Sequence, residues 1–121
     1  MEINQMDAEY TYDYDFDIVN IKVKKEYKYD ESVDLETGVL LDFNENKFPV
    51  NLEILSASKK LDVEKDFLIN PSGDVNILIE SNMIKLEVCF KNENEEYVME
   101  YSNIHDENFK INDIEAKFAL V

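Results

Sequence analysis

Two short apolar runs constrain this chain more than any other feature. Val39-Leu40-Leu41-Asp42-Phe43 and Phe48-Pro49-Val50-Asn51-Leu52-Glu53-Ile54 flank the polar tetrad Asn44-Glu45-Asn46-Lys47, which is the pattern of a β-hairpin. Side chains alternate across a strand, so Val39, Leu41 and Phe43 share one face, and Val50, Leu52 and Ile54 share the matching one. A slip of one residue would bring Asn51 and Glu53 to the apolar side, so the register is strongly fixed. The tetrad has no glycine, and asparagine is the residue that best takes over the left-handed conformation. Pro49 gives the ladder no donor and belongs at the start of a strand or on an outer edge. Ser56-Ala57-Ser58-Lys59-Lys60-Leu61 follows with hydroxyl caps and helix-tolerant residues, which predicts a short helix.

Upstream, Met1 to Glu9 reads as a loose start. Tyr12-Asp13-Tyr14-Asp15-Phe16-Asp17 alternates aromatic and acid, but the phase breaks at Ile18-Val19, after which Val19, Ile21 and Val23 face one way. The break predicts a strand with a turn-like, acid-rich approach. Lys25-Glu26 is read as a tight reversal into a weaker strand from Tyr27 to Val33, and Asp34 to Gly38 as the connection into the hairpin.

These residues also carry a resemblance. Tyr12-Asp13, Asp15, Asp17, Val19, Ile21 and Val23, followed by Gly38-Val39-Leu40-Leu41-Asp42, Val50, Leu52-Glu53-Ile54-Leu55 and Ala57-Ser58-Lys59, resemble a small prokaryotic family known as domain of unknown function 2283. The likeness spans about residues 12–61. Lys47 and Asn51 stand where that family usually has glycine, and Asn20 where it usually has an aromatic. The resemblance implies a small antiparallel β-rich domain and brings no established catalytic residue. An antitoxin-like role is implied through relatives thought to sit beside small predicted toxins.

Beyond Leu61, Asp62 is placed to cap a further helical turn through Val63, Phe67 and Leu68, and Asn70-Pro71-Ser72-Gly73-Asp74 is the strongest break in the chain. The second half then reads as a meander. Val75, Ile77 and Ile79 alternate with polar neighbours up to a turn at Ser81-Asn82, and Ile84, Leu86, Val88 and Phe90 return. After the loop Asn92 to Glu96 comes a strand from Tyr97 to Tyr101, then a polar excursion over Ile104 to Lys110. A last strand carries Ile114, Ala116, Phe118 and Leu120. A well-buried large apolar side chain is worth roughly 1.5–3 kcal/mol, while ordering the backbone costs about 1–2 kcal/mol per residue. The inward sets of the two halves suffice only if pooled. The expected architecture is α+β, mainly β: antiparallel sheets, an N-terminal hairpin sheet and a C-terminal meander, packed together with one or two short helices between them. Residues 1–121 are expected to form a single domain, with 12–61 as the family-like half and 74–121 as the meander.

Charge narrows the function. The chain has 28 acidic residues against 12 basic ones, a net charge of -16, and every basic residue is lysine. Without arginine it lacks the planar fork that clamps phosphates and reads guanine edges, and so negative a surface repels polyanions. Nucleic acid and membrane are therefore not the expected partners. A basic protein is, set against the plainer reading in which excess Asp and Glu keep a small protein in solution. Cys89 is the single cysteine, which rules out an intrachain disulfide and suits a reducing interior. The first residues lack the features of a signal peptide and no apolar run approaches a membrane span, so a cytoplasmic protein is expected.

No catalytic, cofactor or metal residue is assigned. Asp42-Phe43-Asn44-Glu45-Asn46-Lys47, continuing to Glu53, matches the spacing of a calcium loop. Lys47 occupies the glycine place, however, and the flanks read as strands, so the hairpin turn is favoured. Asp13, Asp15 and Asp17 would have to converge to chelate a cation; spaced by two, they read as a solvated turn. His105-Asp106-Glu107 is the only imidazole beside carboxylates, and it is read as a surface loop. Cys89 has Lys85 and Lys91 nearby in sequence, which would lower its pKa, but a half-buried filler is favoured. Tyr12, Tyr14, Tyr27, Tyr29, Tyr97 and Tyr101 form either a sticky face or a core rim. The favoured function is a non-enzymatic protein-binding module with a basic partner. The alternatives are a calcium-binding domain or carboxylate-based enzyme, and self-association through an exposed sheet edge.

Overall fold

The structure, a computed structural model, describes residues 3–81, 83–104 and 113–121. Its strands are β1 (Ile3–Asp13), β2 (Ile18–Val23), β3 (Tyr29–Glu36), β4 (Val39–Asn44), β5 (Pro49–Ile54), β6 (Ser72–Glu80), β7 (Met83–Lys91), β8 (Glu96–Ile104) and β9 (Ile114–Leu120). A short helix, α1 (Ala57–Leu61), and a 3-10 turn, Lys65–Leu68, lie between β5 and β6. The strands form one nine-stranded sheet in the order β3-β4-β5-β2-β1-β9-β6-β7-β8. Both halves of the chain contribute to it. Its ladders are antiparallel except for β1 against β9, so the sheet is mixed. No helix among the described residues is long and apolar enough to cross a membrane.

Apolar alternation dictates which face is buried. Cross-strand partners carry one apolar row over the sheet: Leu41 opposite Leu52, Leu52 opposite Ile21, Ile21 opposite Tyr10. On the other half Phe118 faces both Met6 and Val75, Val75 faces Val88, and Val88 faces Met99. The sheet curls around this row until its two outer strands meet, where the Asn103 side chain donates to the Leu35 carbonyl and the Tyr101 hydroxyl bonds Glu36. Phe43, Phe90, Phe118, Ile21, Leu41 and Leu52 are fully enclosed. Ala57, Leu61, Phe67 and Leu68 from α1 and the 3-10 turn join the same core. Tyr10 ties that layer down, its hydroxyl donating to the Leu68 carbonyl at 2.6 Å and its ring meeting Phe90 edge-on at 5.6 Å.

The predicted hairpin is β4–β5, with Val39, Leu41, Phe43, Val50, Leu52 and Ile54 all buried. Its left-handed residue is Lys47 (φ 63°), not an asparagine. Asn44 serves the turn through its side chain, accepting the N–H groups of Asn46 at 2.9 Å and Phe48 at 3.0 Å. Pro49 opens β5, an interior strand, where its missing donor costs least.

Four local expectations are corrected. Residues 3–9 are not a loose start but the first part of β1, which lies near the middle of the sheet. The segment after β2 is not a tight reversal. It crosses to the far edge, because β5 takes the free side of β2 by setting Ile54 and Leu52 against Val19 and Ile21. β3 then runs on to Glu36, leaving Thr37-Gly38 as the turn, with Gly38 at φ 85°. Asp62 ends α1 as a left-handed cap (φ 54°) and starts no helix.

Candidate protein-contact surface

The acid-rich approach at 13–17 is the turn joining β1 to β2, and its rigidity comes from two aspartates. Asp13 folds back to accept the Phe16 N–H at 2.9 Å, the ordinary habit of an aspartate at a turn. Asp17 takes a left-handed conformation (φ 59°) and points its carboxylate inward. That carboxylate accepts the Tyr12 hydroxyl at 2.6 Å, the Ser58 hydroxyl at 2.7 Å, and the Ser58 N–H at 3.0 and 3.2 Å. The Asp17 carbonyl also accepts the N–H of Ala57 at 2.8 Å. The turn is thereby fastened to the start of α1. Burial alone would push the Asp17 carboxyl up, but the bonds from Tyr12 and Ser58, with the Lys65 charge, outweigh it and hold the group below the usual carboxylate range.

Tyr12 shows the reciprocal effect, its phenol pushed up by burial and by the hydrogen bond to Asp17. Ser58 therefore serves Asp17, while Ser56, the residue ahead of α1, makes no side-chain cap.

What this fastening presents to solvent is aromatic. Phe16 is 76% exposed and Tyr14 47%. Lys65 donates to the Tyr14 carbonyl at 3.0 Å and lies 5.0 Å over its ring. The Tyr14 hydroxyl reaches Asp66 at 3.4 Å, and the charge of Asp66 raises the phenol's pKa. Beside it runs a groove of about 610 Å³ lined by Asp62, Glu64, Asp66 and Glu95 together with Val63, Phe67 and Asn92. Lys65 belongs to this region, and a group of other lysines lies elsewhere. Lys22, Lys24 and Lys25 border a hollow with Tyr27 and Tyr29 at the opposite end of β2.

The structure separates the other candidate residues. Asp13, Asp15 and Asp17 do not converge: the first caps the turn, the second is exposed and the third is buried. Asp42 and Glu53 sit on neighbouring strands, Asp42 bonded to Ser32 at 2.5 Å and to Asn51 at 2.9 Å, so the calcium-loop spacing is that of a hairpin. Among the described residues no group of three His, Cys, Asp or Glu side chains is placed to hold a metal ion. Burial, with Glu87 next to it, pushes the Cys89 thiol up to about 11, opposite to what Lys85 and Lys91 suggested. Tyr12, Tyr27, Tyr97 and Tyr101 pack at the rim of the core, as does Tyr10, whereas Tyr14 and Tyr29 are exposed. His105, Asp106 and Glu107 lie outside the described residues.

Sequence reasoning missed the exposure of Phe16. An aspartate three residues before it and another just after, both at home in turns, were the available signal.

Residues 9–58 match the family model described as "Protein of unknown function (DUF2283)", so the resemblance noted in the sequence holds over that segment. The match contains Tyr12, Asp17, Ala57 and Ser58, the residues that make the fastening. No curated protein and no solved structure matches the chain.

Proposed function

We propose that this chain, which carries the DUF2283 pattern over residues 9–58, is a non-enzymatic protein-binding module whose acidic outer surface receives a basic partner. The observation that carries this reading is the disposition of charge. With 28 acids against 12 lysines, at least sixteen carboxylates cannot be matched one to one. Among the described residues Asp17 is the one buried charged group, and its carboxylate is taken up by Tyr12 and Ser58. The other described carboxylates stand at least partly in solvent, where they steer a cationic protein toward the surface and disfavour polyanions. An antitoxin-like role toward a small basic protein is one form of this reading.

Affinity capture with the full chain from the native cell interior tests it, alongside an unrelated acidic protein of matched charge. The expected result is a lysine- or arginine-rich protein retained only by this chain and released as salt rises from about 0.05 to 0.5 M. Retention of the same proteins by the control, or binding indifferent to salt, overturns the reading.

A further inference from the structure

The geometry points to Phe16 and Tyr14 as the anchor of the interaction surface. Its occupant is a lysine- or arginine-rich segment of a partner protein that carries aliphatic side chains. This rests on the protein-binding reading above and specifies where and how it operates.

Single exposed apolar residues are ordinary on protein surfaces, so the exposure of Phe16 alone says little. Its setting says more. The turn that bears it is held at Asp13 and Asp17 and through Ala57 and Ser58. Tyr14 is fixed by Lys65 and stands edge-on to Tyr12 at 6.2 Å. An aromatic side chain on a fixed backbone binds without the ordering cost that a mobile loop bears, and aromatic anchors dominate protein interfaces for that reason.

The chemistry beside the anchor selects the partner. Asp66 joins the two features, bonding Tyr14 on one side and lining the groove on the other. The groove's lining combines four carboxylates with Asn92, Val63 and Phe67. A chain segment lying there meets negative charge and apolar surface together, which lysine or arginine interleaved with leucine-like residues satisfies. Phe16 and Tyr14 then bury against the aliphatic part. A polyanion or an acidic peptide would be repelled.

Calorimetric titration of the full chain with two synthetic peptides tests the assignment. The peptides have equal length and charge, one of lysine and leucine, the other of lysine and serine. The expected result is that the lysine–leucine peptide binds at least about tenfold tighter. Phe16→Ser removes that advantage, while Val98→Ser, which truncates an exposed residue on β8 (52%), leaves it intact. Phe16 is exposed, so its replacement leaves the fold standing, which a circular dichroism melt confirms. If Phe16→Ser binds like the parent chain while both peptides still bind in a salt-sensitive way, the anchor is wrong and the acidic-module reading survives. If neither peptide shows salt-sensitive binding, both fail. If sedimentation shows self-association that Lys24→Glu abolishes, the occupant is a second copy docking its lysine hollow, and the assignment to a partner protein is overturned.

Discussion

Replacing Asp17 with asparagine isolates the fastening of the β1–β2 turn from the backbone that carries it. Asparagine tolerates the left-handed conformation that Asp17 adopts (φ 59°) as well as aspartate does, so the change strains no dihedral. It does remove the charge and turn one acceptor oxygen into a donor. The carboxylate receives the Tyr12 hydroxyl at 2.6 Å and the Ser58 hydroxyl at 2.7 Å; an amide keeps one accepting oxygen, so one of the two hydroxyls must turn to accept from the new NH2, and the bonds that remain lose their charge assistance. Hydrogen bonds to a charged group contribute about 1.5–3 kcal/mol each, and the site lies just beneath the surface, so the loss belongs at the lower end, about 2 kcal/mol. For a chain of this length that corresponds to a fall of about 8 °C in Tm. Urea unfolding at neutral pH measures it directly.

The pH dependence supplies an independent check. The folded-state pKa of Asp17 is held below its ordinary value, so its contribution is complete above the unfolded value of about 4 and is lost as pH falls through the folded one. The asparagine variant has no proton to gain at this position, and the stability gap between the two chains must narrow on acidification below about pH 4. A loss under about 0.5 kcal/mol at neutral pH, or a gap that widens in acid, refutes the claim that this carboxylate fastens the turn.

Other consequences follow from single positions. Gly73 sits in β6 at φ 138°, and a Cβ there would lie 1.9 Å from the Cys89 carbonyl oxygen. Gly73→Ala is therefore expected to cost at least about 3 kcal/mol in urea unfolding, and a loss below about 1 kcal/mol would mean the strands are not so closely apposed. With its pKa pushed up to about 11, the Cys89 thiol should react with iodoacetamide at pH 8 on the order of a hundredfold more slowly than free cysteine. Because the folded value is the higher one, the stability linked to this thiol is intact below about pH 8.5 and lost as pH rises through about 11; alkylation as fast as free cysteine would contradict both statements. A chain beginning at Tyr10 loses the first part of β1, including buried Ala8 and the whole ladder to β9. It should show no cooperative thermal transition, whereas a melt within a few degrees of the full chain would restore the view of residues 1–9 as a loose start.

What the sequence made legible, and what it hid, divides along one physical line. Val39 to Ile54 could be read because each strand's own side chains state which face is inside, and the partner strand lies a turn away. Even the unusual Lys47 left a trace: it stands where the resembling family has glycine, and it occupies the left-handed conformation that glycine takes without strain. β1 left no such trace. Its inward positions Met6 and Ala8 alternate with Gln5, Asp7 and Glu9, so a local window registers polarity and little else. Its strand character comes from neighbours drawn from the two ends of the chain, β9 on one side and β2 on the other. A parallel pairing between residues more than a hundred positions apart has no turn to announce it, and the same distance hid the union of the two halves in one sheet. The exposed aromatic turn was hidden for the opposite reason. Asp13, Tyr14, Asp15, Phe16 and Asp17 alternate like a strand, but in the turn that alternation sorts nothing, since residues 13–16 are all exposed and Asp17 is buried. Asp17, as polar as Asp13 and Asp15, is the one taken inside, because Tyr12 and Ser58 supply the donors that a buried carboxylate requires. Hydropathy alone ranks Phe16 for the core and Asp17 for water, and the hydrogen-bond inventory reverses that order.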